Sequence, residues 1–444
     1  MQLEKIPSDG GYGWIIVFAY ALTTFIAVTP IQCFGLIFKD TFSDMALSAT
    51  EGSLVINVNA AFGKILGPLI GILLKMCGFR KTAILGGVLL TAGMVLTSFS
   101  SSFIDLILFY GFVTSLGMQM SESAQRLALN AYFKERRSVA MGFGVTMSGF
   151  GPILVPQLIQ FLANDYTPQE VTLIYGGICA HVLVGAALLQ PVEWHLKTVP
   201  REQEQNRLLG TKVIDDRTRG RVCHKLFNNF DLDLLKDPVF VNILIGLSLA
   251  TFAELNFTLL VPFILQDFGL GTDQIAIFLS TLGIADIIFR FLGPYLGSYF
   301  TKPSRVMFSY AVIILIFIRF SEYLRFLLMS VWVKAVLGLL LTRNFSVLLI
   351  IALALGLAKG VRKVYIYLVI PDYVPMEKLP SAVGMETLFN GLCMLIGGPI
   401  LGVLRDVTGS YAVCIVVMNC VTISTIVLWL IEVFIVKYVK KGCD

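Results

Sequence analysis

Twelve long apolar runs separated by mostly short polar breaks constrain this chain more than any other feature. They lie at 14–38, 52–75, 82–100, 104–130, 138–163 and 171–191, then at 238–263, 274–300, 304–341, 345–371, 380–404 and 411–437. About 20 apolar residues carry a helix across a bilayer, so each run is long enough to span one. With 56% hydrophobic and 14% charged residues, the chain falls well short of the roughly 25% charged residues of a soluble domain. Lipid is therefore its expected solvent, and the expected class is an all-α membrane protein. The first run is too long for the core of a cleaved signal, and no small-residue cleavage site follows it.

The one long polar stretch, 192–237, divides the runs six and six. This predicts a tail over 1–13, a six-helix bundle over 14–191, a linker over 192–237, a second bundle over 238–437 and a tail over 438–444. Basic and acidic breaks alternate. Lys75, Arg80 and Lys81 lie in one break, Lys134, Arg136 and Arg137 in another, and Lys437, Lys440 and Lys441 at the end. The breaks between them hold Asp40, Asp44 and Glu51, then Asp105, then Asp165 and Glu170. The positive-inside bias puts both termini and the linker in the cytoplasm. The net charge of +5 reflects this orientation, so no nucleic-acid partner is expected. The eight cysteines are scattered without a CxxC pair, and neither a metal nor a cofactor is expected.

A short element recurs in every third run: "GPLIG" (67–71), "GPILV" (151–155), "GPYLG" (293–297) and "GPILG" (398–402). Four copies at this period indicate two six-helix halves built from three-helix repeats. The expected architecture is the twelve-helix major facilitator fold, two bundles related by a pseudo-twofold axis. Pro68 and Pro152 are 84 residues apart and Pro294 and Pro399 are 105 apart, so the second half carries about 21 extra residues. They fall near 319–336.

Two motifs stand out. "DGGYGW" (9–14) sets a flexible turn, Gly10 and Gly11, before the first span. Tyr12 and Trp14 stand where aromatic rings favour the headgroup layer, and Asp9 is positioned to accept hydrogen bonds from free N–H groups of the turn or first helical turn. The second motif, "YFKERRSVAMG" (132–142), opens the fifth span with Tyr132, Phe133, Arg136, Arg137 and Gly142. Together they resemble the two signatures of the monocarboxylate transporter family. Glu135 and Val139 replace that family's usual lysine and leucine, and "SGFGP" (148–152) and "LRDVTGSY" (404–411) extend the likeness. The resemblance covers nearly the whole chain outside the linker and the extra residues. It implies a carrier, plasma-membrane residence by family default and, for some relatives, a single-span glycoprotein escort. It leaves the cargo open, because the family carries lactate and pyruvate, aromatic amino acids, thyroid hormones, creatine and carnitine.

Ionisable residues inside spans cost about 2.5–3.5 kcal/mol each at a helix centre, which makes each one a functional candidate. Span eight holds Asp286 and Arg290 at i, i+4 on one face. A guanidinium binds a carboxylate in two-pronged fashion, and an adjacent carboxylate pairs with it when the site is empty and takes up a proton when substrate displaces it. The resemblance implies these same roles, substrate binding for Arg290 and proton coupling for Asp286. It also implies a lysine in span one of lactate carriers, where this chain has Gln32, which donates a hydrogen bond but carries no charge.

Other cations are available. Lys64 lies in span two, and Lys359, Arg362 and Lys363 share a face of span ten. Glu254 in span seven is a second proton-coupling candidate. Glu122 and Arg126, at i, i+4 in span four, read as a neutralising pair, Glu386 lies in span eleven, and His181 reads as a packed polar residue in span six. Six basic residues against four acidic ones favour an organic anion as cargo.

No nucleotide-binding loop or other sign of an enzyme is present. Three functions remain open: a proton-linked carrier of monocarboxylates or related anions, a proton-independent facilitator of larger amphipathic or aromatic amino-acid-like cargo, and a non-transporting sensor on the same fold. The extra residues near 319–336 are either an interfacial insertion or an unspliced intron translated in frame, and the second is favoured. Sequencing of the mature message is expected to show these codons absent from the dominant transcript, and their presence there would establish the insertion.

Overall fold

The computed structural model describes residues 3–6, 9–32, 49–162, 164–195, 197–200, 231–267, 270–298, 304–316, 345–408 and 411–441. The extra residues near 319–336 lie outside them. Eight helices among the described residues are long and apolar enough to cross a membrane, and shorter apolar helices occur at Gly13–Ala27, Leu54–Ile65 and Ser304–Ile316. Spans are numbered one to twelve in chain order, as read above.

Local sequence explains several departures from straight helices. Span two (Ala49–Ile65) leads into a helix, Gly67–Ser98, that serves both spans two and three. It breaks once, at Gly78 (φ 77°, ψ 165°), a conformation that glycine adopts without a Cβ penalty. The loop expected between these spans is thus a one-residue corner, with Arg80 and Lys81 already helical. Span four starts with a Ser102/Asp105 capping box, widens to a π-helix over Ile107–Thr114 and continues as Ser115–Tyr132. Span six starts with a Thr167/Glu170 capping box and breaks between Pro168–Cys179 and Val182–Leu188. His181 stands at that break and is exposed, so it is not the packed residue expected.

The two halves meet with the symmetry of the repeat. Span two packs on span eleven (Leu379–Thr408), and its counterpart, span eight (Thr272–Ser298), packs on span five (Arg137–Leu162). Glycine makes both seams close. A Cβ on Gly67 would lie 2.4 Å from the Gly384 carbonyl oxygen, and one on Gly142 would lie 2.5 Å from Pro294 Cγ. Two of the four Gly-Pro elements are thereby at the seams.

The cores confirm where the halves are joined. One apolar cluster takes Ile16, Tyr20, Ala128 and Phe133 from the first half together with Phe240, Leu244, Tyr365 and Leu379 from the second. These residues lie toward the end bearing the N-terminal tail and linker. Farther along the spans the cores separate. Ile26, Val55, Met94 and Tyr110 belong to one cluster, and Phe252, Phe257, Leu348 and Cys414 belong to another. The described halves therefore share a core at one end of the molecule and keep separate cores toward the other.

At the shared end the polypeptide is laced together by polar contacts. Residues Leu3–Ile6 pair antiparallel with Lys197–Pro200, from Leu3 opposite Pro200 to Ile6 opposite Lys197. Lys75 forms an ion pair with Asp231. Tyr373 donates to Asp237 Oδ2 at 2.5 Å, and burial together with this bond raises the hydroxyl pKa above its usual value. Arg137 crosses between halves, donating to the Phe133 carbonyl at 3.1 Å and to the Pro371 carbonyl at 3.1 Å.

The two sequence motifs meet here in space. Asp9 Oδ1 accepts from the backbone N–H groups of Lys134, Glu135 and Arg136 at 2.7, 3.0 and 3.3 Å. It therefore caps the approach to span five and not, as expected, the turn or first helical turn beside it. The reason is backbone geometry: Asp9 (φ 46°) and Gly11 (φ 56°) are both left-handed, which turns the carboxylate toward span five. The helix N-terminus there attracts a negative charge. Tyr12 donates to the Leu188 carbonyl at 2.9 Å and stacks on His195 with ring centroids 4.4 Å apart. Trp14 packs edge-on against Phe133 and Phe143. Loss of such a cap costs about 0.5–2 kcal/mol. Asp9→Ala is expected to lower the thermal midpoint of the purified protein by several degrees, Asp9→Asn by less, and an unchanged midpoint for Asp9→Ala would remove the cap from this account.

Candidate functional site

Buried charges gather in three groups along the seam and within the second half. The first is on span eight. Arg290 Nε and Nη2 donate to Asp286 Oδ1 and Oδ2 at 2.8 and 2.5 Å, and both side chains are buried. Nη1 reaches the other half, donating to the Val145 carbonyl at 3.3 Å and to Ser148 Oγ at 3.2 Å. Gly149 admits the guanidinium, since a Cβ there would stand 3.2 Å from Nη1. The helical spacing of four residues makes the two-pronged pair possible, and the small residues of span five let the pair face the seam.

The second group joins spans seven and ten. Lys359 Nζ lies 3.9 Å from Glu254 Oε1, and Arg362 Nη2 lies 3.7 Å from Glu254 Oε2. Lys359 also donates to Thr258 Oγ1 at 3.3 Å. Spans eight and ten touch backbone to backbone: a Cβ on Gly360 would fall 2.5 Å from the Asp286 carbonyl oxygen and 2.9 Å from Arg290 N. The first two groups are therefore neighbours.

The third group crosses the seam. Arg126 Nη2 of span four lies 3.5 Å from Glu386 Oε2 of span eleven, both almost wholly buried. The expected partner Glu122, one turn away on span four, still acts electrostatically on Arg126, and the closer ion pair is the one between halves, because the buried face of span four meets span eleven. The Tyr367 ring lies 5.1 Å from the Arg126 guanidinium and 5.5 Å from the Lys363 ammonium. Lys64 reaches across the same seam to Met394 Sδ at 3.3 Å. Gln32 is the last residue of the first helix, Gly13–Gln32, and its side chain lies outside the described residues.

Four participants were not singled out from the sequence: Ser148, Thr258, Tyr367 and Met394. Ser148 lies in the quoted "SGFGP" stretch and was legible as a hydroxyl in an apolar helix. The other three are ordinary membrane-helix residues whose role comes from the partner that packing brings to them. No group of three or more potential metal ligands occurs among the described residues.

A twelve-span pattern, two symmetric halves and buried charges at their seam define a membrane carrier, and the chain belongs to the Major Facilitator Superfamily, whose profile matches residues 14–321. Among curated proteins it is similar to "Monocarboxylate transporter 6" of Mus musculus, 29% identical over 412 residues, 91% of this chain and 83% of that protein. It is also similar to "Monocarboxylate transporter 2" of Mesocricetus auratus, 26% identical, covering 92% and 81%. Among solved structures, the proton:xylose symporter XylE is similar with a TM-score of 0.65 at 14% identity, covering 94% of this chain and 95% of that one. The transporter FucP in the outward conformation gives 0.61 at 15%, covering 94% and 98%. These structures establish the fold.

Breaking one partner of a buried ion pair strands the other charge and costs about 3–5 kcal/mol, whereas removing both costs less. Arg126→Gln and Glu386→Gln are each expected to lower the thermal midpoint of the purified protein, with the double substitution milder than their sum. Strict additivity would mean that the two groups do not interact.

Proposed function

We propose that the protein is a secondary-active carrier of monocarboxylates or related organic anions, coupled to protons and working by alternating access. The observation that carries this reading is the buried, two-pronged Asp286–Arg290 pair facing the other half through Val145 and Ser148. A substrate carboxylate competes with Asp286 for the guanidinium. Once displaced, Asp286 is a buried carboxylate that has lost its two-pronged partner, and protonation neutralises it. Substrate and proton then move together. Lys359 and Arg362, and Lys64 across the seam, supply positive charge that Gln32 does not. Glu254 serves span ten as Asp286 serves Arg290, and is the second candidate for proton coupling.

In this reading the joined end is cytoplasmic, with both termini and the linker on that side as the basic breaks imply. The separate cores then lie toward the outside, and the conformation is closed to the cytoplasm. The 14–191 and 238–437 bundles rock about the site, as the inverted repeats imply. Plasma-membrane residence follows the family default.

The test is uptake of labelled pyruvate and lactate into cells expressing the protein, at external pH 6 and 7.5, beside Arg290→Ala with matched surface expression. Acid-stimulated uptake that falls to background in the variant is the expected result. Good surface expression without uptake at either pH would overturn the monocarboxylate reading and favour a proton-independent facilitator of larger cargo.

A further inference from the structure

The charges along the seam fall into two sets, and in each set three cations stand to two carboxylates. In the second half Arg290, Lys359 and Arg362 face Asp286 and Glu254. Across the seam Lys64, Arg126 and Lys363 face Glu122 and Glu386. There Arg126 pairs with Glu386, and Glu122 acts electrostatically on all three cations. The positive excess is therefore not pooled at one point but split, one charge to each set.

In the seam set the excess falls on the two lysines. Lys64, from span two of the first half, has only the Met394 thioether, 3.3 Å from its ammonium, and a thioether sulfur is a weak acceptor. Lys363, from span ten of the second half, has only the Tyr367 ring at 5.5 Å. Among the described residues neither ammonium has an oxygen within hydrogen-bond distance, although each carries three donors. Both lysines are half-buried, and Lys363 acts electrostatically on Lys64. The Tyr367 ring also lies 5.1 Å from the Arg126 guanidinium, whose buried Nε has no hydrogen-bond partner. Buried donors left over in this way are uncommon in folded interiors.

A monocarboxylate carried with one proton leaves both excesses in place, because the proton cancels the charge that the carboxylate brings. A second carboxylate on the same cargo reduces them and meets donors that no residue uses. We propose that the cargo is a dicarboxylate, with one carboxylate on Arg290 and the other between Lys64 and Lys363. The proposal rests on the organic-anion reading and narrows it. Lys363 is within electrostatic reach of Arg290 and Asp286 as well as of Lys64, so it stands between the two ends of such a molecule. Because the two lysines belong to opposite halves, the second carboxylate also bridges the seam and offsets their mutual repulsion.

The experiment is binding to the full-length purified protein near neutral pH, read as ligand-dependent thermal stabilisation. The probes are acids matched in length, butyrate with succinate and hexanoate with adipate, at equal ionic strength. In at least one pair the dicarboxylate is expected to bind about tenfold tighter. Lys64→Gln and Lys363→Gln are each expected to bring that ratio near one, and Lys363→Arg, which keeps the charge, to preserve it. A ratio near one in both pairs, a ratio that survives both glutamine substitutions, or sulfate stabilising as strongly as succinate would overturn the dicarboxylate site. Binding of butyrate or hexanoate in any of those cases leaves the organic-anion reading standing. A folded protein stabilised by none of the four acids would overturn that reading as well.

Discussion

Placing a charged side chain among lipid-embedded helices costs several kcal/mol unless a partner offsets it, and the sequence sets ten such candidates well inside the spans, from Lys64 to Glu386. Much of the described architecture can be understood as the arrangement that gives them partners. Arg290 meets Asp286 on its own helix because four residues make one turn. Arg126 meets Glu386 only because the halves close on each other. Glu254 lies opposite two cations of span ten. One pair is local, one joins the halves, and in the third a single carboxylate faces two cations.

The close seams serve this requirement. Gly67 against Gly384 and Gly142 against Pro294 let backbones approach at the end where the halves share a core, as small residues do at membrane-helix interfaces. The seam there is held by packing, by the Arg126–Glu386 pair and by Arg137 reaching the Pro371 carbonyl. Ion pairs and hydrogen bonds of this kind exchange partners without unfolding either half, which the alternating access proposed above requires. Asp9, by contrast, ties the N-terminal tail to the entry of span five within one half.

Much of this was legible in the sequence, and what was not has a common cause. Period, length and repeat are one-dimensional properties, so the twelve spans, the two halves and the Asp286–Arg290 pair could be read directly. Contacts between distant segments could not. Glu122 stands four residues from Arg126 and acts on it as helical spacing suggests, but the second partner that packing presents, Glu386, comes from 260 residues away. Asp9 was correctly seen as an acceptor, but its partners lie 125 to 127 residues on, and only its left-handed backbone reveals the direction in which it points. The bend at Gly78 was missed because a basic break with a single glycine reads equally well as a loop or a corner.

The central claim is that a bound carboxylate displaces Asp286 from Arg290 and that the freed acid takes a proton. Proton exchange on binding tests it most directly. Purified protein in weakly buffered detergent near neutral pH would be mixed with saturating pyruvate and the pH change followed with an indicator dye. The account predicts uptake of about one proton per molecule bound, lost in Asp286→Asn. Saturable binding with no proton uptake, or uptake unchanged in Asp286→Asn, would contradict it.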